Sequence, residues 1–271
     1  MDDKGTVFRR LHEGQEAFII PNPWDAGSAR ILAGLGFKAL ATTSAGMAFS
    51  MGLTEGQASR EATLKHCRQI VDATPLPVSA DLEKGFSDTP EGVAETIGLA
   101  AQTGLAGASI EDHTGDPDNQ IFDLTLAVER IAAAVEAARA LNRDFVLTAR
   151  AENYLWGRPD LDDTLKRLLA FEKAGADVLY APGLSDIETI RTVCNAVSKP
   201  VNVVMGLPGA NFSLDDLAKS GVKRISVGSA LARLAYGGLI DAGREMAQSG
   251  TFTFARQAAG FSQIEGLLRR S

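Results

Sequence analysis

Cysteine, histidine and basic charge are all in short supply in this sequence. The 271 residues include two cysteines, Cys67 and Cys194, each inside a segment that reads as helix. That pattern offers neither a disulfide framework nor a thiolate metal site, and a reducing cytoplasm is the expected compartment. The formal net charge is −7, with no basic stripe to neutralise phosphates, which excludes general nucleic-acid binding. No apolar run is long enough to span a bilayer, so no membrane partner is expected. The Met1-Asp-Asp-Lys4 start is too polar for a signal peptide. No low-complexity segment, charge run or linker divides the chain. It reads as one domain over residues 1–271, with 250–271 as a C-terminal helical extension.

Hydrophobic residues make up 45% and charged residues 23%, an ordinary balance for a soluble globular chain able to bury a large core. Phe18-Ile-Ile-Pro-Asn22 reads as a first strand and Lys38 to Ser44 as a second. Val78-Ser-Ala-Asp81, Gly107-Ala-Ser-Ile-Glu111-Asp112 and Phe145 to Glu152 are the third, fourth and fifth. Val178 to Pro182, Val201 to Gly206 and Arg224 to Gly228 supply the remaining three. Helical segments alternate with them. Thr89-Pro90-Glu91 places a capping hydroxyl before a proline at the first helical position. Gly175 and Gly221 read as helix stops. Eight strands alternating with helices fit a (β/α)8 TIM barrel. A doubly wound open sheet is the competitor, but Asn22-Pro-Trp-Asp25 is no Gly-rich phosphate loop. After the eighth strand, helices are expected over Ser229 to Gln248 and Thr253 to Arg269, divided by Gly250.

Barrel active sites gather where strands end. Those ends supply Asn22 and Asp25, Thr43 and Ser44, Asp81 and Glu83, then Glu111, Asp112 and His113, Arg150 and Glu152, and Tyr180. Within an extended strand Asp81 and Glu83 would share a face. An Asp-X-Glu triplet alone is better explained by a solvated acidic loop after a strand. Several carboxylates in one pocket, however, need a counter-charge. A divalent cation held by oxygens, Mg²⁺ or Mn²⁺, would resolve that conflict. Such a site suits chemistry that builds negative charge on a carbonyl oxygen, with backbone N–H groups of Thr43-Ser44-Ala45 receiving a carboxylate. Arg150 is either a carboxylate or phosphonate clamp or a salt-bridge partner of Glu152 or Glu111. His113 is either solvated or catalytic, and Tyr180 either a proton donor or a packing residue.

Three motifs together, Asp81-Leu-Glu83-Lys-Gly85-Phe86, Gly107-Ala-Ser-Ile-Glu111-Asp112 and Thr148-Ala-Arg150-Ala-Glu152, resemble the isocitrate lyase/phosphoenolpyruvate mutase superfamily. The resemblance begins at Pro21-Asn-Pro-Trp-Asp-Ala-Gly-Ser28 and covers most of the chain. It implies a (β/α)8 barrel whose extra C-terminal helix is exchanged between subunits of a homo-oligomer, a dimer or tetramer. It implies that Asp81, Glu83, Glu111 and Glu55 hold Mg²⁺, largely through water. Thr43, Ser44 and Ala45 match the loop that binds substrate, and Arg150 the arginine that stabilises the oxyanion. Glu111 and Asn119 join Arg150 as the implied catalytic set, Asn119 on a gating loop. Two departures bear on the reaction. The lid has His113-Thr-Gly-Asp116 in place of the lyases' cysteine-bearing stretch. Ala181 and Ala41 stand where the mutases carry a histidine and a tryptophan. The resemblance thus implies a Mg²⁺-dependent lyase that cleaves a C–C bond of a small 2-oxo or 2-hydroxy di- or tricarboxylate through an enolate. A phosphonomutase or phosphonopyruvate hydrolase is the alternative, and a catalytically silent carboxylate-binding barrel a third.

Overall fold

The apolar runs become parallel strands. A computed structural model describes residues 3–207, 209 and 211–269 of the chain. It opens with helix α1 (Lys4–Glu13), β1 (Phe18–Ile20), α2 (Ala26–Gly34), β2 (Leu40–Ala41) and α3 (Ser44–Ser50). Then come α4 (Arg60–Ala73), β3 (Val78–Asp81), α5 (Pro90–Gln102), β4 (Gly107–Glu111), α6 (Leu124–Arg139) and β5 (Val146–Arg150). The second half adds α7 (Leu161–Lys173), β6 (Val178–Tyr180), α8 (Ile187–Ala196), β7 (Val201–Val204), α9 (Leu214–Lys219) and β8 (Arg224–Ser226). A long α10 (Ala230–Ser249) and a short α11 (Phe261–Leu268) follow.

All eight strands are parallel, in the order β1-β8-β7-β6-β5-β4-β3-β2. The ring is nearly closed, and the seam lies between β1 and β2. There the Ala41 N–H donates to the Pro21 carbonyl at 3.1 Å. The Asn22 amide adds a second fastening. Its Nδ2 donates to the Thr42 carbonyl at 3.0 Å, and its Oδ1 accepts from Val227 and Gly228 N–H at 2.9 and 3.0 Å. This is a (β/α)8 TIM barrel.

Local chemistry sets the boundaries of its parts. The Thr89 hydroxyl accepts from Gly92 N–H at 3.2 Å, with Pro90 starting α5. Gly175 and Gly221 take φ of 101° and 92°, a region costly for any other residue, and end α7 and α9. The main apolar core lies between the strands and the surrounding helices. The barrel axis is more polar. Arg224 is buried there, donating to Asn202 Oδ1 at 2.8 Å and Thr148 Oγ1 at 3.0 Å. His12 stands 3.3 Å from the same guanidinium and is pushed down to about 3 by burial and by that charge, so its ring is neutral.

The C-terminal segment differs from the single helix expected over Thr253 to Arg269. A 3₁₀ turn (Thr253–Gln257) precedes α11, because Gly260 interrupts the run. Arg30 and Gly34 on α2 meet the Leu268 and Leu267 carbonyls, so α11 lies against α2 of its own chain. By contrast α10 buries only Ala232, leaving Leu234, Leu239 and Ile240 exposed. Among the described residues no helix is long and apolar enough to cross a membrane.

Candidate active site

Strand register assembles the centre. Glu111, Arg150 and Tyr180 are paired neighbours across β4, β5 and β6. The Arg150 guanidinium reaches three carboxylates at once: Nε to Glu152 Oε1 at 2.8 Å, Nη1 to Asp81 Oδ1 at 2.9 Å and Nη2 to Glu111 Oε2 at 3.2 Å. Its carbon lies 5.0 Å from the centre of the Tyr180 ring. Asp81 is also held by Ser44, whose Oγ donates to Asp81 Oδ2 at 2.9 Å and lies 3.3 Å from Glu55 Oε1. The ion-pair partners expected for Arg150, Glu152 and Glu111, are thus both present, together with Asp81.

The electrostatics are acidic in excess. Burial opposes the charge on Arg150, but Glu152, Glu111 and Asp81 outweigh it and raise its pKa, so the guanidinium stays charged. Glu111 and Glu152 are both raised, chiefly by burial. Glu55 is raised by burial and then by Asp81, and Glu83 is pushed up to about 7 by burial, Asp81 and Glu55. Tyr180 is pushed up to about 12 by burial, so it keeps its proton at neutral pH.

One local expectation is corrected. Asp81 and Glu83 do not share a face of one strand, because β3 ends at Asp81. The chain then turns left-handed, with φ of 51° at Glu83, 80° at Gly85 and 58° at Phe86. Glu83 and Phe86 cost of the order of 1–2 kcal/mol each in that region, and such strain concentrates at functional sites. The turn brings the Glu83 carboxyl round to Asp81 and Glu55 by a different route.

Two buried arginines that sequence reasoning missed hold these strand ends in place. Arg130 on α6 donates to the carbonyls of Glu111 and Ser87 at 3.1 Å each and to that of Lys84, fastening the turn after β3 to the end of β4. Arg167 on α7 pairs with Asp112 Oδ2 at 3.0 Å, while Asp112 Oδ1 accepts the Glu152 N–H at 2.8 Å. Phe122 sits between them: its ring faces Arg130 at 4.2 Å and its carbonyl accepts from Arg167.

A cavity of about 330 Å³ opens beside Arg150. Of the expected site residues, Thr43, Ser44, Ala45, Glu55, Asp81 and Arg150 line it. Glu111 reaches the cluster from behind through Arg150, and Glu83 through its neighbouring acids. Asn119 stands apart, exposed on the turn after β4. The base of that turn is fastened by the His113–Ile121 pairing and by Thr114 N–H to the Gln120 carbonyl at 2.9 Å. His113 stacks on Trp156, ring centres 3.8 Å apart, and lies 3.7 Å from Glu111 Oε1. Trp156, unremarked in the sequence, lines the cavity and hydrogen-bonds Glu152.

The donor set fits a small, hard dication that keeps its water. Among the described residues no three carboxylate, imidazole or thiol groups converge closely enough to chelate a bare ion. What converges is five carboxyls, Glu55, Asp81, Glu83, Glu111 and Glu152, around one guanidinium. Burial raises the proton affinity of four of them, and repulsion from neighbouring carboxylates adds to it. Mg²⁺ gives up water reluctantly and is commonly held through it, which suits oxygens at this spacing.

Comparison with known proteins agrees with this geometry. The family model for phosphoenolpyruvate phosphomutase matches residues 8–247. A crystal structure from Burkholderia cenocepacia J2315, provisionally described as a lyase or mutase, shares 58% identity with a TM-score of 0.94, covering 97% of this chain and 94% of that one. The structure of 2,3-dimethylmalate lyase is 26% identical with a TM-score of 0.87, over 98% of this chain and 95% of that one. The 2-methylisocitrate lyase of Escherichia coli (strain K12) is 28% identical, over 80% of this chain and 76% of its own length.

Proposed function

Because the chain belongs to the phosphoenolpyruvate phosphomutase family, within the isocitrate lyase/phosphoenolpyruvate mutase superfamily, we propose that it is a Mg²⁺- or Mn²⁺-dependent carbon–carbon lyase. Its substrate is a small 2-oxo or 2-hydroxy acid, cleaved through an enolate. The observation that carries this reading is the Arg150 guanidinium bound simultaneously to Asp81, Glu111 and Glu152 at the mouth of the barrel. Asp81, Glu83, Glu111 and Glu55 would hold the cation, which when bound supplies Lewis-acid stabilisation of the substrate oxygen that becomes negative.

The protein's own groups do the rest. Arg150 offers N–H donors to that oxygen, and its five-donor fork allows it to keep carboxylate partners while doing so. The Thr43–Ala45 segment receives the substrate carboxylate beside Arg150. Tyr180, a phenol at neutral pH, lines the same cavity with its ring centre 5.0 Å from the Arg150 guanidinium carbon. Arg130 and Arg167 keep the strand ends in register. Purified protein should release pyruvate or a related 2-oxo acid only when Mg²⁺ or Mn²⁺ is present. Failure across a panel that includes oxaloacetate and alkylmalates sinks the proposal.

A second reading, P–C bond chemistry, is favoured by the family model being that of a phosphomutase. Ala181 and Ala41 weigh against it, since neither methyl can contact a phosphonyl oxygen by hydrogen bonding. ³¹P NMR of a reaction with phosphonopyruvate decides: an unchanged spectrum eliminates it. The proposed setting is the cytoplasm, with Cys67 and Cys194 as free thiols, and a homo-oligomer joined through the exposed apolar residues of α10.

A further inference from the structure

Resting on the lyase reading, we infer that Tyr180 gives the proton to the substrate carbon that loses its bond, and that Arg224 positions Tyr180 through Asn202 and Ser226. Strand register sets the group up. Arg150, Tyr180, Asn202 and Arg224 are successive paired neighbours across β5, β6, β7 and β8. The cavity that opens beside Arg150 is lined by Tyr180, Asn202, Ser226 and Arg224 as well. A buried guanidinium ordinarily has an anionic partner, but among the described residues Arg224 has only neutral ones, Asn202, Thr148 and His12. Tyr180 is the group whose negative charge it would meet.

Hydrogens are passed along this row in one direction. A guanidinium only donates, so the Asn202 oxygen faces Arg224 at 2.8 Å and the amide nitrogen donates onward to Ser226 Oγ at 3.0 Å. Ser226 hydrogen-bonds the Tyr180 hydroxyl in turn. Among the described residues the Ser226 hydrogen has no other acceptor, so the Tyr180 oxygen receives it and the Tyr180 proton is left to the cavity. The other ionisable groups on that lining are committed. Glu55 and Asp81 belong to the set around the cation, and neither guanidinium releases a proton. His113 is stacked on Trp156 and does not reach the lining. Cleavage leaves the electrons of the broken bond in an enolate, and turnover ends when its carbon takes up a proton. The Tyr180 O–H supplies it: the enolate π pair forms the C–H bond and the substrate oxygen reverts to a carbonyl or carboxylate. The phenolate left behind has the Arg150 charge 5.0 Å from its ring centre and the Arg224 charge beyond Asn202, and it regains its proton from solvent water.

The test pairs turnover with binding. Oxaloacetate, 3-methyloxaloacetate and 3-methylmalates are supplied with Mg²⁺ in D₂O, and oxalate binding is measured by titration calorimetry. Tyr180→Phe should lower kcat by about a hundredfold or more while leaving oxalate affinity within about threefold of wild type. Every cleavage of a 3-methyl acid leaves a carbon that bears hydrogen, deuterium and methyl. The wild-type protein should place that deuterium on one hand, and Tyr180→Phe, left with water as its donor, on both. Ser226→Ala, which keeps the phenol but frees it, should lose about tenfold in kcat and part of the handedness with unchanged oxalate affinity. A Tyr180→Phe rate within about threefold of wild type, or a lowered rate with deuterium still on one hand, overturns the assignment of Tyr180 and leaves the lyase reading standing. A Ser226→Ala protein identical to wild type overturns the positioning role alone. No turnover of any of these acids removes the lyase reading, and the role of Tyr180 with it.

Discussion

Replacing Arg130 with methionine tests how the carboxylate cluster is kept in place. Arg130 is wholly buried and donates to three main-chain carbonyls, those of Glu111, Lys84 and Ser87. Methionine fills much of the space and supplies no donor. Each stranded buried acceptor costs roughly 1–3 kcal/mol. Loss of the contact with the Phe122 ring adds about 1 kcal/mol. Against this, the variant no longer buries a charge, a real cost in the native protein, since burial lowers the Arg130 pKa to about 10. Among the described residues its Nε also has no hydrogen-bond partner. The balance is a destabilisation of about 3–5 kcal/mol. For a chain of this length that corresponds to a fall in Tm of roughly 6–10 °C. Calorimetry measures the fall, and Arg130→Lys, which retains a donor, should recover about half of it. Because the staple joins the Glu83-bearing turn to Glu111, the methionine variant should also bind Mg²⁺ about tenfold more weakly. A Tm within 2 °C or so of wild type refutes the energetic argument. A lowered Tm with unchanged Mg²⁺ affinity refutes the positioning argument alone.

Three further outcomes are expected. Arg150→Lys should lower kcat by about 10²–10³ through loss of a preorganised donor to the oxyanion, while leaving Mg²⁺ binding by calorimetry within a few fold; a wild-type rate would remove Arg150 from its assigned role. Glu83 has a folded pKa of about 7, above its unfolded value, so the folded metal-free protein binds the extra proton and its stability falls as pH rises from about 4.5 to 7. Mg²⁺ competes with that proton, so its affinity should rise over the same window. Glu83→Gln should flatten both dependences, and equal slopes in variant and wild type would reassign the proton. Leu239→Glu on the exposed face of α10 should shift the protein toward monomer in light scattering; an unchanged mass excludes that face from the interface.

Much of the barrel is legible because short apolar runs alternate with helices whose ends carry capping residues, as with Thr89-Pro90 at the start of α5. The strand-end rule also located Asp81, Glu111, Arg150 and Glu152, which the ring of strands brings to one guanidinium. Local periodicity failed at Glu83, where a left-handed turn replaces the extended backbone that alternation assumes. It failed again at Arg130. That residue lies in the apolar stripe of α6 beside Ala127, Ile131 and Ala134, and a charge within such a stripe was the available signal. Nothing local could place Trp156 over His113, since stacking across two loops depends on the whole barrel. The C-terminal helix is shorter than its apolar pattern suggests because Gly260 breaks the run before Phe261.

The seam between β1 and β2 has a mechanical consequence. Elsewhere in the ring adjoining strands are stitched by ladders, but here one main-chain rung and the Asn22 carboxamide bear the load. The carboxamide spans three strand ends, gripping Thr42 with its nitrogen and Val227 and Gly228 with its oxygen. The stretch from Thr42 to Ala45, which follows directly, therefore takes its anchorage from the β3 side, where the Thr42 N–H donates to the Ser79 carbonyl and the Ser44 hydroxyl to Asp81, each at 2.9 Å.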